Sequence, residues 1–340
     1  MAREPRLRVG WVAAHSFAGL RGRSFRLLPA SLKMRMANTA RWLNANEPGF
    51  RNEMYVPGRR YDVVVFAKAM DERCQEEAAR VHAYGGKVVF DANVNYYEVW
   101  GDYDVPGTKP TERQLDQAMT MTTLADWVVA DSTYLLDLIR PLNPSSSWIP
   151  DNVDLTLYGR RREHGPRALV RLVWSGIAKK AQHLLQIEDA LASLEGFELV
   201  LVADEPPQVL ERLRRVLPTR YVRFGDRRYA RTLAESDVII SPKRLSNAYE
   251  HGHSEWKITL GMAAGLPAVA SSQPSYLEAI SDRGGGMIAD GTDEWVAALE
   301  SLRDPARRAE LGALARRTVE ERYATPVVAR QYGDLLLELA

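Results

Sequence analysis

The feature that most constrains this chain is a sustained alternation of short β-branched apolar runs with amphipathic stretches of helical period. In the first half strands are predicted at 7–13, 62–67, 87–91, 127–130 and 148–149, and helices at 31–45, 71–84, 111–125 and 133–142. In the second half strands are predicted at 171–174, 198–203, 221–224, 238–241 and 268–270, with helices at 181–194, 207–217, 229–235 and 254–264. Strands that read as unbroken apolar runs are covered on both faces, which parallel βαβ units achieve with their crossover helices. Beyond residue 291 only helical pattern remains, at 293–302, 305–323 and 326–339. The expectation is an α/β protein of doubly wound parallel sheets with a helical C-terminal segment.

At 340 residues the chain suits two such domains. Pro, Gly and charge cluster over 150–166, where no apolar period is sustained, so the domain junction belongs there. The predicted division is 1–153, 154–325, and a closing helix at 326–340 that packs back on the first domain. Hydrophobic residues are 46% and charged residues 26%, a soluble balance, and the net charge of +1 predicts no general affinity for nucleic acid. Cys74 is the single cysteine, which fits a reducing cytoplasm. The opening segment lacks the apolar core of a signal peptide, and no apolar run reaches the length of a spanning helix. Charge is uneven, however. Arg3, Arg6, Arg8, Arg21, Arg23, Arg26, Lys33, Arg35 and Arg41 face a single acid, Glu4, before residue 46. Two readings stand for the helix at 31–45: peripheral docking on anionic lipid, or Arg35 turned into a cleft to hold an anionic acceptor.

Several predicted strands end on a polar residue, namely His15, Lys68, Asp91 and Asp131, at the carboxyl edge where open α/β sheets bind ligands. The richest segment is GHSEWKITLGMAAGLPAVASS, at 252–272. Ser254 suits a helix N-cap, and a helix starting there aims free N–H groups and its positive dipole end outward. Lys257 adds a cation to that seat for a diphosphate. Gly265 and Pro267 end the helix and lead into the next strand.

This segment resembles the donor-binding segment of GT-B glycosyltransferases of family 4 type, commonly SPNKLxEYMAAGLPVVAS. The resemblance continues in register through IPDNVD at 149–154, WSGIAKKAQHLLQIEDAL at 174–191, LVLVADEP at 199–206, AESDVIISP at 234–242 and the helices at 291–323, with SLKMRMANTARWL at 31–43 a looser match. It implies the GT-B fold, two Rossmann-like domains facing a cleft, with acceptor on the first and nucleotide-sugar on the second. It further implies transfer of a sugar from a nucleoside-diphosphate sugar to an acceptor hydroxyl, retaining and metal-independent. No cofactor follows from it, the nucleotide-sugar being a co-substrate. Lys180, Ser254 and Lys257 are its donor-phosphate residues.

Three positions depart from the pattern: Ile177 stands at its arginine, Leu260 at the glutamate that holds the ribose, and Gly252 at an upstream glutamate. Contacts to nucleoside and sugar then fall to Glu250, His251, His253 or Glu278. These departures keep open a catalytically silent relative acting as an interaction subunit; a sugar-nucleotide epimerase is the other alternative. The acceptor is a glycan, a lipid-linked molecule or a small molecule.

The first domain offers candidates of its own. Gly19 and Gly22, in the loop HSFAGLRGRSFR, either let backbone approach phosphates or an acceptor, or form a plain turn. His15 and Asp91 are the candidates for a catalytic role. Asn93 and Tyr96, in DANVNYYEVWGDYD, offer an amide and an aromatic face to an acceptor. Asp102 and Asp104 form a D-x-D without the preceding strand that a metal site of that type has, and no metal site is predicted.

Overall fold

The computed structural model describes residues 6–13, 25, 28, 32–281 and 284–340. Twelve strands form two sheets of six, every neighbouring pair parallel. The first holds β1 Leu7–Ala13, β2 Phe50–Met54, β3 Val63–Ala67, β4 Lys87–Ala92, β5 Trp127–Ala130 and β6 Ser146–Trp148, in the order β2-β1-β3-β4-β5-β6. Its helices are α1 Thr39–Asn46, preceded by a π-helical stretch Lys33–Asn38, then α2 Glu72–Ala83, α3 Glu112–Leu124 and α4 Thr133–Ile139.

The second sheet holds β7 Val170–Ser175, β8 Phe197–Ala203, β9 Thr219–Arg223, β10 Val238–Ser241, β11 Ala268–Ala270 and β12 Gly286–Ile288. Its order, β12-β11-β10-β7-β8-β9, is that of a dinucleotide-binding fold, with the crossover direction reversing between β7 and β10. Around it lie α5 Leu155–Tyr158, a 3-10 stretch Ala178–Ile187, α6 Glu188–Ser193, α7 Leu210–Leu213, α8 Asp226–Glu235, α9 Ala248–His251, α10 Trp256–Ala263, α11 Pro274–Ile280, α12 Thr292–Ser301 and α13 Pro305–Thr318. A π-helical turn Val319–Tyr323 leads into α14 Thr325–Leu339.

Each sheet is buried on both faces. Val63, Val64 and Val65 of β3 are each fully buried, their side chains alternating between two apolar clusters. Leu199, Val200 and Leu201 do the same in β8. A fully buried side chain of this kind contributes about 1.5–3 kcal/mol. Strand β2 escaped prediction because FRNEM has no β-branched run. It is an edge strand, held by Asn44, whose side chain bonds both the amide and the carbonyl of Asn52.

The chain crosses between the domains twice, and the two crossings bond to each other. Val153 N–H donates to the Tyr323 carbonyl at 2.7 Å, and Thr325 N–H to the Val153 carbonyl at 3.1 Å. Helix α14 then packs on α1 of the first domain, with the Tyr332 ring 5.8 Å from that of Trp11. At this joint lies a buried ion network. Arg35 donates from Nε to Asp91 Oδ1 at 2.8 Å and from Nη1 to Asp151 Oδ1 at 2.9 Å, and Tyr332 Oη donates to the other oxygen of Asp91. All four side chains are buried.

This corrects two expectations. Arg35 neither faces lipid nor lines an open cleft, since its guanidinium is consumed by two carboxylates. Asp91, proposed from its strand-end position as catalytic, is fully buried at this joint with one oxygen bonded by Arg35 and the other by Tyr332. The Lys33 side chain stays partly exposed and pairs at 3.6 Å with Asp226 of the second domain. Among the described residues no helix is long and apolar enough to cross a membrane. His15, Gly19 and Gly22 lie outside the described residues.

Candidate active site

The reversal point between β7 and β10 gathers three lysines around one carboxylate. Lys180 enters from the 3-10 stretch after β7, Lys243 from the turn after β10, Glu250 from α9 and Lys257 from the first turn of α10. Glu250 pairs with Lys180 at 3.1 Å through Oε1 and with Lys243 at 2.5 Å through Oε2. His183 Nε2 stands 3.7 Å from the same Oε1. Lys180 Nζ donates to His253 Nε2 at 2.8 Å and lies 4.5 Å above the Tyr249 ring. Lys257 Nζ lies 5.4 Å from the Trp174 ring, with no carboxylate in ion-pair reach among the described residues.

The charges do not balance, and the protonation equilibria record it. Burial would raise Glu250, but Lys243, His183, His253 and Lys180 outweigh it and hold the carboxyl well below its usual range. Burial and the nearby Lys243 ammonium push Lys180 down to about 8. Burial, Lys243 and Lys180 likewise depress Lys257 well below an ordinary lysine. His253 is driven down by burial, Lys180 and Lys243, so it is neutral and free to accept the Lys180 bond. An anion entering here would relieve three mutually repelling ammonium groups.

The structure thus brings together Lys180, Lys257, Glu250 and His253 from the predicted set. Ser254 sits differently. Helix α10 begins at Trp256 with Glu255 at its cap position, and Ser254 Oγ instead donates to Asp151 at 2.6 Å, tying the segment to the joint. Glu278 is on α11, where its Oε1 accepts from Thr133 of the first domain. Burial raises its carboxyl to about 7.

His251 faces the first domain, its ring 5.0 Å from Trp100 and 5.8 Å from Tyr134. It belongs to a latch between the loop at 93–104 and the segment at 244–252. Gly101 and Asn247 form an antiparallel bridge. Asp102 N–H donates to the Ser246 carbonyl at 2.9 Å, and Asn95 Nδ2 to that of Ala248 at 3.1 Å. Arg244 pairs with Asp104 at 2.5 Å. Gly101 has φ +79°, and a Cβ there would lie 1.9 Å from the Ser246 oxygen, so only glycine permits the approach. Asn93 and Tyr96 start this loop; both are half-buried, Asn93 Oδ1 lacks a hydrogen-bond partner, and burial raises the Tyr96 phenol.

Two buried charged residues, Lys243 in the cluster and Glu255 near the joint, escaped sequence reasoning. Lys243 was hidden in a segment read only as strand-end, although its place two residues past Ser241 was a usable signal. Glu255 is fully buried, with neither oxygen hydrogen-bonded, and burial with Asp151 and Asp131 nearby raises it well above an ordinary carboxyl. Nothing in its local sequence marks it. Among the described residues, no group of three or more His, Cys, Asp or Glu is placed to hold a metal ion.

Two parallel sheets of six strands, with flanking helices and a double crossing between the domains, are the architecture of the GT-B fold. Residues 150–304, within the second domain and its junction, match the family described as Glycosyl transferases group 1. The fold is similar to that of sucrose-phosphate synthase from Thermosynechococcus elongatus, at 14% identity and TM-score 0.71, over 98% of this chain and 99% of that one. It is also similar to HepE of Anabaena, solved in complex with UDP, at 12% identity and TM-score 0.68, over 97% and 100%. A glycosyltransferase from Rickettsia africae matches at 12% identity and TM-score 0.67, over 99% of both chains. No curated protein matches the chain.

Proposed function

We propose that this protein transfers a sugar from a nucleoside-diphosphate sugar to an acceptor hydroxyl, the donor's diphosphate lying against Lys180, Lys243 and Lys257. The observation that carries this reading is the surplus of ammonium groups around the single carboxylate of Glu250. Departure of the nucleoside diphosphate concentrates negative charge on its terminal phosphate. Fixed cations aimed at that position stabilise the transition state more than the ground state, an effect of several kcal/mol. The N-terminal amides of α10 add a positive dipole end beside Lys257. In this reading the ammonium groups take the charge-compensating role that a metal has in other transferases. The reaction retains the anomeric configuration, with the leaving phosphate accepting the acceptor's proton, so no separate base is assigned. The UDP bound by HepE is compatible with such a seat.

The test is thermal stabilisation by UDP, GDP, ADP, CDP and TDP. A ligand at a hundred times its Kd adds about 2.7 kcal/mol to the native state. One of these should raise the melting temperature of the wild type and not of Lys257→Ala, whose own unfolding stays cooperative. A shift that survives in Lys257→Ala would sink the donor-site assignment. No shift with any nucleotide would favour a catalytically silent interaction subunit.

A further inference from the structure

Buried oxygen atoms without a donor gather where the second domain meets the carboxyl edge of the first sheet. Both carboxyl oxygens of Glu255, Oδ1 of Asp131, Oε1 of Gln273 and Oε2 of Glu278 have no hydrogen-bond partner among the described residues. Glu255 and Gln273 are fully buried, and Asp131 is 2% exposed. Short ties draw these residues together across the domain boundary. Ser254, next to Glu255, donates to Asp151 Oδ2 at 2.6 Å. Thr133, two residues past Asp131, donates to Oε1 of Glu278, and Gln273 Nε2 donates to the His253 carbonyl at 2.8 Å. Buried polar atoms ordinarily find a partner, so a group of orphans that are all acceptors describes a place suited to a donor-rich molecule.

Charge narrows the occupant. Arg35 bonds Asp91 and Asp151, which leaves Asp131 and Glu255 without a direct ion pair among the described residues. Lys68, just past β3 and held at φ +55°, acts on Asp131 from a distance and forms no ion pair among the described residues either. Arg322 bonds the main-chain carbonyl of Glu278 at 3.0 Å. The surroundings are short of positive charge as well as of donors, and an N–H cation supplies both. The oxygens are not grouped as a metal's ligands. They suit donors spaced around a ring, namely an ammonium with three N–H groups flanked by hydroxyls. Glu255 lies two residues before Lys257, so a ring held here stands beside the diphosphate seat, on the side of the first domain.

We propose that the acceptor molecule is an amine-bearing sugar or cyclitol, its ammonium seated between Glu255 and Asp131. The proposal rests on the transferase reading above and names the acceptor class for it. The two carboxyls come from opposite domains, so the seat is complete only when the domains are joined. Burial with Asp151 and Asp131 nearby favours the protonated form of Glu255 in the empty seat. An ammonium arriving beside it reverses that preference, and the proton leaves to solvent as the ion pair forms.

Calorimetric titration of glucosamine, galactosamine and 2-deoxystreptamine, beside glucose, galactose and N-acetylglucosamine, tests this at pH 7 in two buffers of different ionisation heat. The proteins are the wild type, Glu255→Gln and Asp131→Asn. A charged hydrogen bond predicts that the wild type binds at least one amine about tenfold or more above the neutral sugars, with release of a proton. Each variant should lose about that factor for the amine and keep the neutral sugars' affinity, and Glu255→Gln should abolish the proton release. No preference for any amine in the wild type overturns the proposal, as does a preference undiminished in both variants. UDP, GDP, ADP, CDP and TDP are titrated alongside, on the wild type and Lys257→Ala. Lys257-dependent nucleotide binding without amine binding leaves the diphosphate reading standing and removes this one. Amine binding without binding of any nucleotide keeps the seat but overturns its assignment to an acceptor.

Discussion

Asn95 of the first domain fills the space that a side chain on Gly252 of the second would need: a Cβ built at Gly252 would lie 2.6 Å from Asn95 Cβ. With the latch between 93–104 and 244–252 closed, no side chain fits there.

Gly252→Ala should therefore be destabilising, by about 1–3 kcal/mol as for other overpacked sites. The double variant Gly252→Ala with Asn95→Gly removes the colliding atom and should recover a large part of the loss, a positive coupling between residues on different domains. Denaturant titration of the two single variants and the double reads this out. Additive losses would mean that the contact does not govern stability.

Arg35→Met should cost about 3–5 kcal/mol, because it leaves Asp91 and Asp151 buried without their counter-charge. Asp91→Asn should show its main defect in urea unfolding as well. If Asp91→Asn unfolds like the wild type and loses turnover alone, the assignment of Asp91 to the joint is wrong.

Lys180 predicts two pH effects of opposite sign. Its folded pKa of about 8 lies below its ordinary value of 10.5, so between these limits the unfolded chain holds the extra proton. Its contribution to stability is then least favourable below pH 8 and improves as pH rises toward 10.5. Diphosphate affinity runs the other way, falling above pH 8 as the ammonium deprotonates. Titrations at pH 7 and 9.5 on wild type and Lys180→Met should show that the variant binds more weakly and loses most of this pH dependence.

Glu278 has its folded pKa raised to about 7 from an ordinary 4.5. The stability it gives is fully present below pH 4.5 and is lost as pH rises through 7. Glu278→Gln should accordingly melt above the wild type at pH 8, with the two curves meeting near pH 4. A constant gap across that range would contradict the raised carboxyl.

The fold was legible because its strands are buried on both faces and so appear as unbroken apolar runs. Strand β2 was not, since an edge strand held by asparagine contacts needs no such run. Lys180 and Lys257 were singled out from motif spacing, Glu250 and His253 from their place before α10, and the fold brings Lys180, Glu250 and His253 into contact. Lys243 is a separate case: a lone lysine after a strand becomes a site residue only when a partner such as Glu250 arrives from elsewhere. Arg35 and Asp91 were misjudged because strand-end and helix-face positions say which way a side chain points and not what meets it. Asp151 and Tyr332, which do meet them, come from positions 116 and 297 residues beyond Arg35.

The bonded pair of crossings at Val153 and Thr325 has a mechanical consequence. A single covalent strand would let one domain swivel freely about the other. Two strands stitched side by side behave like a door hung on a pin, allowing a swing and resisting a twist. In the structure Trp100 and Gly101 meet backbone atoms of Ala248 and Asn247, a second tie that fixes how far the swing has gone.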